Sequence, residues 1–167
     1  MYDVPIVANL EESGAVGIAG RQERVAGSLA AALVQLTGLH SPAELVVTAA
    51  VTPAWARELD WLKWMPHTSS PHSPIAGNHL ADSEPAANAL LSELEELVAV
   101  RERANRGAET RGALNAEQAA LQGGAHVGEM RDTGGYAGPM PAIVLVIADD
   151  VIADRARLVS LSERGAD

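Results

Sequence analysis

The residues best placed to do chemistry form a junction, Val16-Gly17-Ile18-Ala19-Gly20-Arg21-Gln22-Glu23-Arg24, where a short apolar run hands over to a helical pattern. Glycines there let the chain turn tightly and aim backbone N–H groups at an anion, and the positive end of the helix dipole favours negative charge. A complete phosphate-binding loop reads G-x-x-x-x-G-K-[ST], with the lysine on the β- and γ-phosphates and the hydroxyl on Mg²⁺. Laid over that pattern, Gly17 takes the first glycine, but Gln22, Glu23 and Arg24 stand where Gly, Lys and Ser/Thr belong. Glu23 sets a negative charge where phosphates need a positive one. Arg21 or Arg24 replaces part of the lysine's charge, and neither supplies the hydroxyl ligand. The same glycines also suit a strand-to-helix turn that needs them only for close packing. Both readings stand on the residues alone.

A second constellation closes the apolar run Ala142-Ile143-Val144-Leu145-Val146-Ile147-Ala148, which ends in Asp149-Asp150. An acid at the end of a buried central strand can hold the Mg²⁺ shell, and a following acid can polarise the attacking water. Asp149 is the candidate metal ligand, and Asp149 with Asp150 the candidate catalytic pair. Either Asp also suits the N-cap of a following helix. His67, His72 and His79 lie five and seven residues apart in a Pro-rich stretch, without cysteine. That spacing is poor for zinc, and solvated loop histidines are expected. No G-x-S-x-G elbow or H-E-x-x-H helix is present.

Positioning these residues falls to an alternation of strand and helix patterns. Val4–Ala8 and Ala15–Ala19 are apolar runs of strand length separated by a turn. Val25, Leu29, Leu33 and Leu36 trace one face of a helix over about Gln22–Leu39, and Ser41-Pro42 breaks it. Glu44–Val51 reads as a strand buried on both faces. A short helix fits about Ala54–Leu62, followed by an irregular segment over 66–82. Leu90, Leu91, Leu94, Leu97 and Val98 mark a helix over about Glu84–Asn105. Between Asn105 and Pro139 lie eight of the fifteen glycines, which predicts a mobile insertion over 105–139 with a helical patch at Asn115–Leu121. After the strand at 142–148 an amphipathic helix runs to about Glu163, with Gly165 as its C-cap. Strand, helix, strand implies an α/β fold with a mainly parallel sheet, and 167 residues fit one domain.

A net charge of −10 disfavours direct binding of nucleic acid through a general basic surface. With no cysteine there is neither a disulfide framework nor a thiolate metal site. No signal-like start and no run near the roughly 20 apolar residues of a bilayer span is present, so a soluble cytoplasmic chain is expected.

Several strings together resemble the EccC proteins, the FtsK/SpoIIIE-type ATPases of type VII (ESX) secretion. They are Pro5-Ile6-Val7-Ala8-Asn9-Leu10, Ser13 through Arg21, Leu39-His40-Ser41-Pro42, and above all Asp60-Trp61-Leu62-Lys63-Trp64-Met65-Pro66-His67, similar to a D-W-x-K-W-x-P-H signature. The resemblance implies the ATPase-like domain that follows the membrane anchor, with a P-loop/RecA-like three-layer fold incomplete on its C-terminal side. Carried over, the degenerate Walker A region falls on Gly17, Gly20, Arg21, Glu23 and Arg24, and the Walker B-like acid on Asp149 beside Asp150. Weak ATP and Mg²⁺ binding follows, with little or no hydrolysis by the module alone. The implied partners are other ATPase domains of the same motor, subunits of the secretion complex and, indirectly, WXG100-type substrates. A six-fold assembly at the inner face of the cell membrane, held there by anchor helices outside this chain, is a further implication. Two alternatives accompany this reading: a non-catalytic interaction domain docking partner ATPase domains, and an active FtsK-type DNA translocase. The Trp pair has a physical reading of its own, in which Trp61 and Trp64 share a face and pack against the sheet while Lys63 points elsewhere.

Overall fold

A computed structural model describes residues 10–121, 140–148 and 153–165. Strand β1 (Leu45–Ala50) is buried at every position, as its uninterrupted apolar sequence requires of a central parallel strand. It pairs in parallel with β2 (Leu80–Ala81) on one side and β3 (Ala142–Ile147) on the other, giving the order β2-β1-β3. The β1–β3 register runs from Leu45 opposite Ala142 to Ala50 opposite Ile147.

Because side chains alternate along a strand, β1 feeds two separate cores. Leu45, Val47, Ala49 and Val51 pack with Leu29, Leu33 and Leu36 of helix α2 (Gln22–Leu39) and with Leu59 and Leu62 beyond β1. Ala50, on the opposite face, packs with Ala87, Leu90, Leu91 and Leu94 of α4 (Glu84–Leu121) and with Leu158 and Leu161 of α5 (Arg155–Arg164). Helices therefore cover both faces of a parallel sheet, the three-layer α/β class expected. Short helices α1 (Leu10–Ser13) and α3 (Pro53–Glu58) and two 3-10 turns, Asp60–Trp64 and Pro66–Thr68, complete the described elements.

Charged pairs lace α5 to α4. Arg157 donates to both Glu95 oxygens, at 2.8 and 2.9 Å, and to the Ser92 hydroxyl at 3.0 Å. Arg164 donates to Glu102 at 2.8 Å. The Arg157 hydrogen bond holds the Glu95 carboxyl below its ordinary range. A bidentate but partly exposed pair of this kind is worth about 1 kcal/mol. Arg157→Ala should lower the unfolding free energy in urea by about that amount.

The structure revises three expectations. Ala15–Ala19 is irregular, with Val16 50% and Ile18 40% exposed, so no strand precedes α2 within the described residues. Gly17 interrupts that run and Gly14 and Gly20 flank it, which leaves it few side chains to bury. Gly14 itself ends α1 at φ 65°, its N–H bonding Leu10 O at 3.0 Å. The other run, Val4–Ala8, lies outside the described residues. The insertion expected over 105–139 is helical as far as Leu121: α4 continues without a break, because Ala, Glu, Arg and Gln outweigh a cost of about 1 kcal/mol each for Gly107 and Gly112. Residues 122–139 lie outside the description. Finally β2, only two residues long, falls inside the segment read as irregular, too short to show any periodicity.

Candidate functional site

In open parallel sheets ligands bind beyond the carboxyl ends of the strands. At that edge β1 passes through Val51 and Thr52 into α3, which starts on Pro53. The first turn of α2 lies beside it: Arg21, Gln22, Glu23 and Ala26 line an open cleft of about 710 Å³ together with Glu58, the last residue of α3. A second depression of about 350 Å³ is lined by Pro53, Ala56, Arg57, Asp60 and Asp82, the last just past β2. The α2 N-terminus thus lies beside that edge, and a coil, not a strand, leads into it.

Arg21 is the N-cap residue of α2, with φ −67° and ψ 139° and no capping bond from its side chain. Its carbonyl accepts the N–H groups of Arg24 at 2.9 Å and Val25 at 3.0 Å. Glu23 occupies the first turn, where a carboxylate complements the helix dipole. Its charge therefore has a structural benefit as well as an electrostatic cost to any anion. Gly17 is exposed, and a Cβ added there would meet nothing within 4 Å. At Gly20 an added Cβ would make an ordinary 3.6 Å contact with Val25. The structure brings Arg21 and Glu23 together at the cleft, while Arg24 is exposed on the same turn.

The described side chains form a poor set for a Mg²⁺-triphosphate. Two acids, Glu23 and Glu58, oppose one arginine, and the first turn of α2 carries no hydroxyl. The chain's sole lysine, Lys63, is engaged elsewhere: its Nζ bonds both Asp60 oxygens, at 2.8 and 2.7 Å. Glu58 was not visible as a site residue in the sequence. It stands 35 positions beyond Glu23, and only the packing of α3 beside α2 makes them neighbours.

Asp149 and Asp150 lie outside the described residues, directly after the carboxyl end of β3 and buried Ala148. Their alternative role as helix caps belongs instead to Asp154, whose carboxylate accepts the Ala156 N–H at 2.8 Å and starts α5. Among the described residues no group of three or more His, Asp or Glu side chains is placed to hold a metal ion.

The Trp-rich string forms a stitched support under β1. Leu62 is fully buried and Trp61 packs against the same core, but Trp64 is 80% exposed and is not the packing anchor its spacing predicts. Trp64 is the last residue of its 3-10 turn, and extended Met65 carries the chain away toward Pro66. Lys63 Nζ sits 5.4 Å from the Trp64 ring centroid, a cation–π distance. His67, expected in solvent, is 3% exposed and donates from Nε2 to His40 O at 2.9 Å. Thr68 donates to Leu62 O at 2.8 Å and Ser70 to Pro42 O at 2.9 Å. The string is thereby tied to the turn between α2 and β1.

His79, also expected in solvent, is buried, and its Nε2 lies 2.7 Å from the Ser73 hydroxyl. Burial pushes its pKa below the ordinary histidine value, against smaller opposing effects of the Gly77 backbone and Glu93. The unfolded chain therefore takes up the proton first as pH falls. Stability is complete above about pH 6.5 and declines below it, until the native imidazole also protonates. Denaturant titrations from neutral to mildly acid pH should show that decline, and His79→Gln should flatten it.

No known family description matches the chain, and no solved structure matches it. Among characterised proteins, the ESX-4 secretion system protein EccC4 of Mycobacterium tuberculosis (strain ATCC 25618 / H37Rv) is 34% identical over 112 residues, which is 63% of this chain. Over that stretch the chain is EccC-like. It spans only 9% of the EccC4 length. Among the described residues no helix is long and apolar enough to cross a membrane.

Proposed function

We propose that this chain is a degenerate ATPase-like module of a type VII secretion motor, with little or no hydrolysis of its own, working in support of protein export. The observation that carries the proposal is the 34% identity to EccC4. The geometry supports it: a parallel three-layer sheet, a helix N-terminus at its carboxyl edge, and at that edge a cleft whose acids disfavour polyphosphate. In this reading Asp149 and Asp150 are the inherited metal-shell acids. Glu23, in the place of the missing lysine, weakens any hold on ATP and Mg²⁺. Other ATPase domains and secretion-complex subunits are the partners, and WXG100-type substrates are reached through them.

Phosphate release from MgATP by the whole chain tests the hydrolysis claim. The expected trace matches the protein-free blank; steady turnover of about 1 s⁻¹ or faster would place the chain among working motors instead. A second reading, a docking module that never touches nucleotide, is favoured by Trp64, a large aromatic 80% exposed beside the sole lysine.

A further inference from the structure

Strand β2 is only two residues long, below the usual length of a strand, and holds to β1 through Ala49 N–H to His79 O at 2.8 Å and Val51 N–H to Ala81 O at 2.9 Å. Its position depends on the loop before it. His79 Nε2 lies 2.7 Å from the Ser73 hydroxyl oxygen, which also accepts the Ile75 N–H at 3.2 Å. That turn seats Ile75 in the core with Ala81 and with Leu90 and Leu94 of α4. Glu93 of α4 accepts the Ala76 and Gly77 N–H groups at 2.9 and 3.1 Å. One residue, His79, thus bonds β1 through its carbonyl and the loop through its ring.

We propose that the Ser73–His79 pair is a proton-sensitive latch, closed while the ring is neutral, whose protonation frees β2 and the loop before it from β1. A neutral ring accepts the Ser73 proton at Nε2. A protonated ring has an N–H at both nitrogens, so the hydroxyl must turn and its own proton loses that acceptor. The new charge also sits on a buried ring. Around it, α4 turns Glu93 toward the ring and favours the charged form, but burial outweighs that effect. The loop supplies uncharged Ser73 and the Gly77 backbone, while His72 is exposed, and β1 carries no charge from Leu45 to Ala50. The acid weakening described above then starts at one edge of the sheet. Asp82, the residue after β2, lines the depression of about 350 Å³, so the opening removes a wall of it. The inference stands apart from nucleotide and from the functional reading above.

Residue-resolved amide hydrogen exchange on the whole chain, at about pH 7.5 and about pH 5.5 and corrected for intrinsic rates, tests it. Ala49 and Val51 point their N–H groups at β2, and Val46, Thr48 and Ala50 alternate toward β3. The first pair should exchange faster than the other three, through an opening that low urea does not accelerate. Acidification should make that opening several-fold more frequent. His79→Gln should abolish the acid response. Glu93→Gln, whose amide oxygen can still accept both N–H groups, should enlarge it, because the neutral side chain no longer favours a charged ring. The proposal is overturned if the pair opens only together with the other three and with their urea dependence, or if its opening ignores pH in the unaltered chain. An acid response that survives His79→Gln, or that Glu93→Gln leaves unchanged, overturns it as well.

Discussion

Glu23→Lys should tighten ATP binding by about tenfold at physiological salt. The substitution changes the charge at the α2 N-terminus by two units in the cleft shared with Glu58. At roughly 6 Å from two phosphate charges, in a water-like dielectric and screened over a Debye length of about 8 Å, that change is worth about 1.4 kcal/mol. The gain should shrink as salt is raised, which distinguishes an electrostatic effect from a change in shape. Fluorescence or NMR titration with ATP reads both. A small helix penalty accompanies it, since a lysine in the first turn opposes the dipole that Glu23 now complements. An affinity unmoved by Glu23→Lys would mean that the first turn of α2 does not face the nucleotide.

Leu62→Ala should lower the unfolding free energy by about 2–5 kcal/mol, and Trp64→Ala should change it by less than about 0.5 kcal/mol. Leu62 is fully buried in the core formed by β1, α2 and the Trp-rich turn, so truncation leaves a cavity there. Trp64, 80% exposed, removes little area from water. The larger side chain is expected to matter far less, which is the reverse of what residue size suggests. Equilibrium urea unfolding of the two variants beside the unaltered chain decides it. A Trp64→Ala loss above 2 kcal/mol would put Trp64 back among the packing anchors.

Patterns that span many residues were legible in the sequence. The bounds of α2 follow from its apolar spacing, and β1 and β3 from uninterrupted apolar runs suited to a parallel sheet, although only β1 is buried throughout. The glycine-interrupted run at 15–19 misled because its residue types suit a strand while its side chains are too small to anchor one. Beyond Asn105 the opposite error arose, where two isolated glycines do not stop an Ala- and Glu-rich helix already propagating. Burial of His67 and His79 could not be read from spacing, since it depends on carbonyl and hydroxyl partners, one 27 and the other six positions away. The candidate site was half legible. Arg21 and Glu23 announce themselves against the phosphate-loop pattern, but Glu58, which completes the acidic cleft, comes from tertiary packing alone.

The central claim is that a phosphate-binding layout survives here without the charges that would make it work. Calorimetric titration of the whole chain with ATP, with and without Mg²⁺, tests it most directly. The account predicts a Kd of about 1 mM or weaker, little changed by Mg²⁺. A Kd near 1 μM that tightens when Mg²⁺ is added would contradict it.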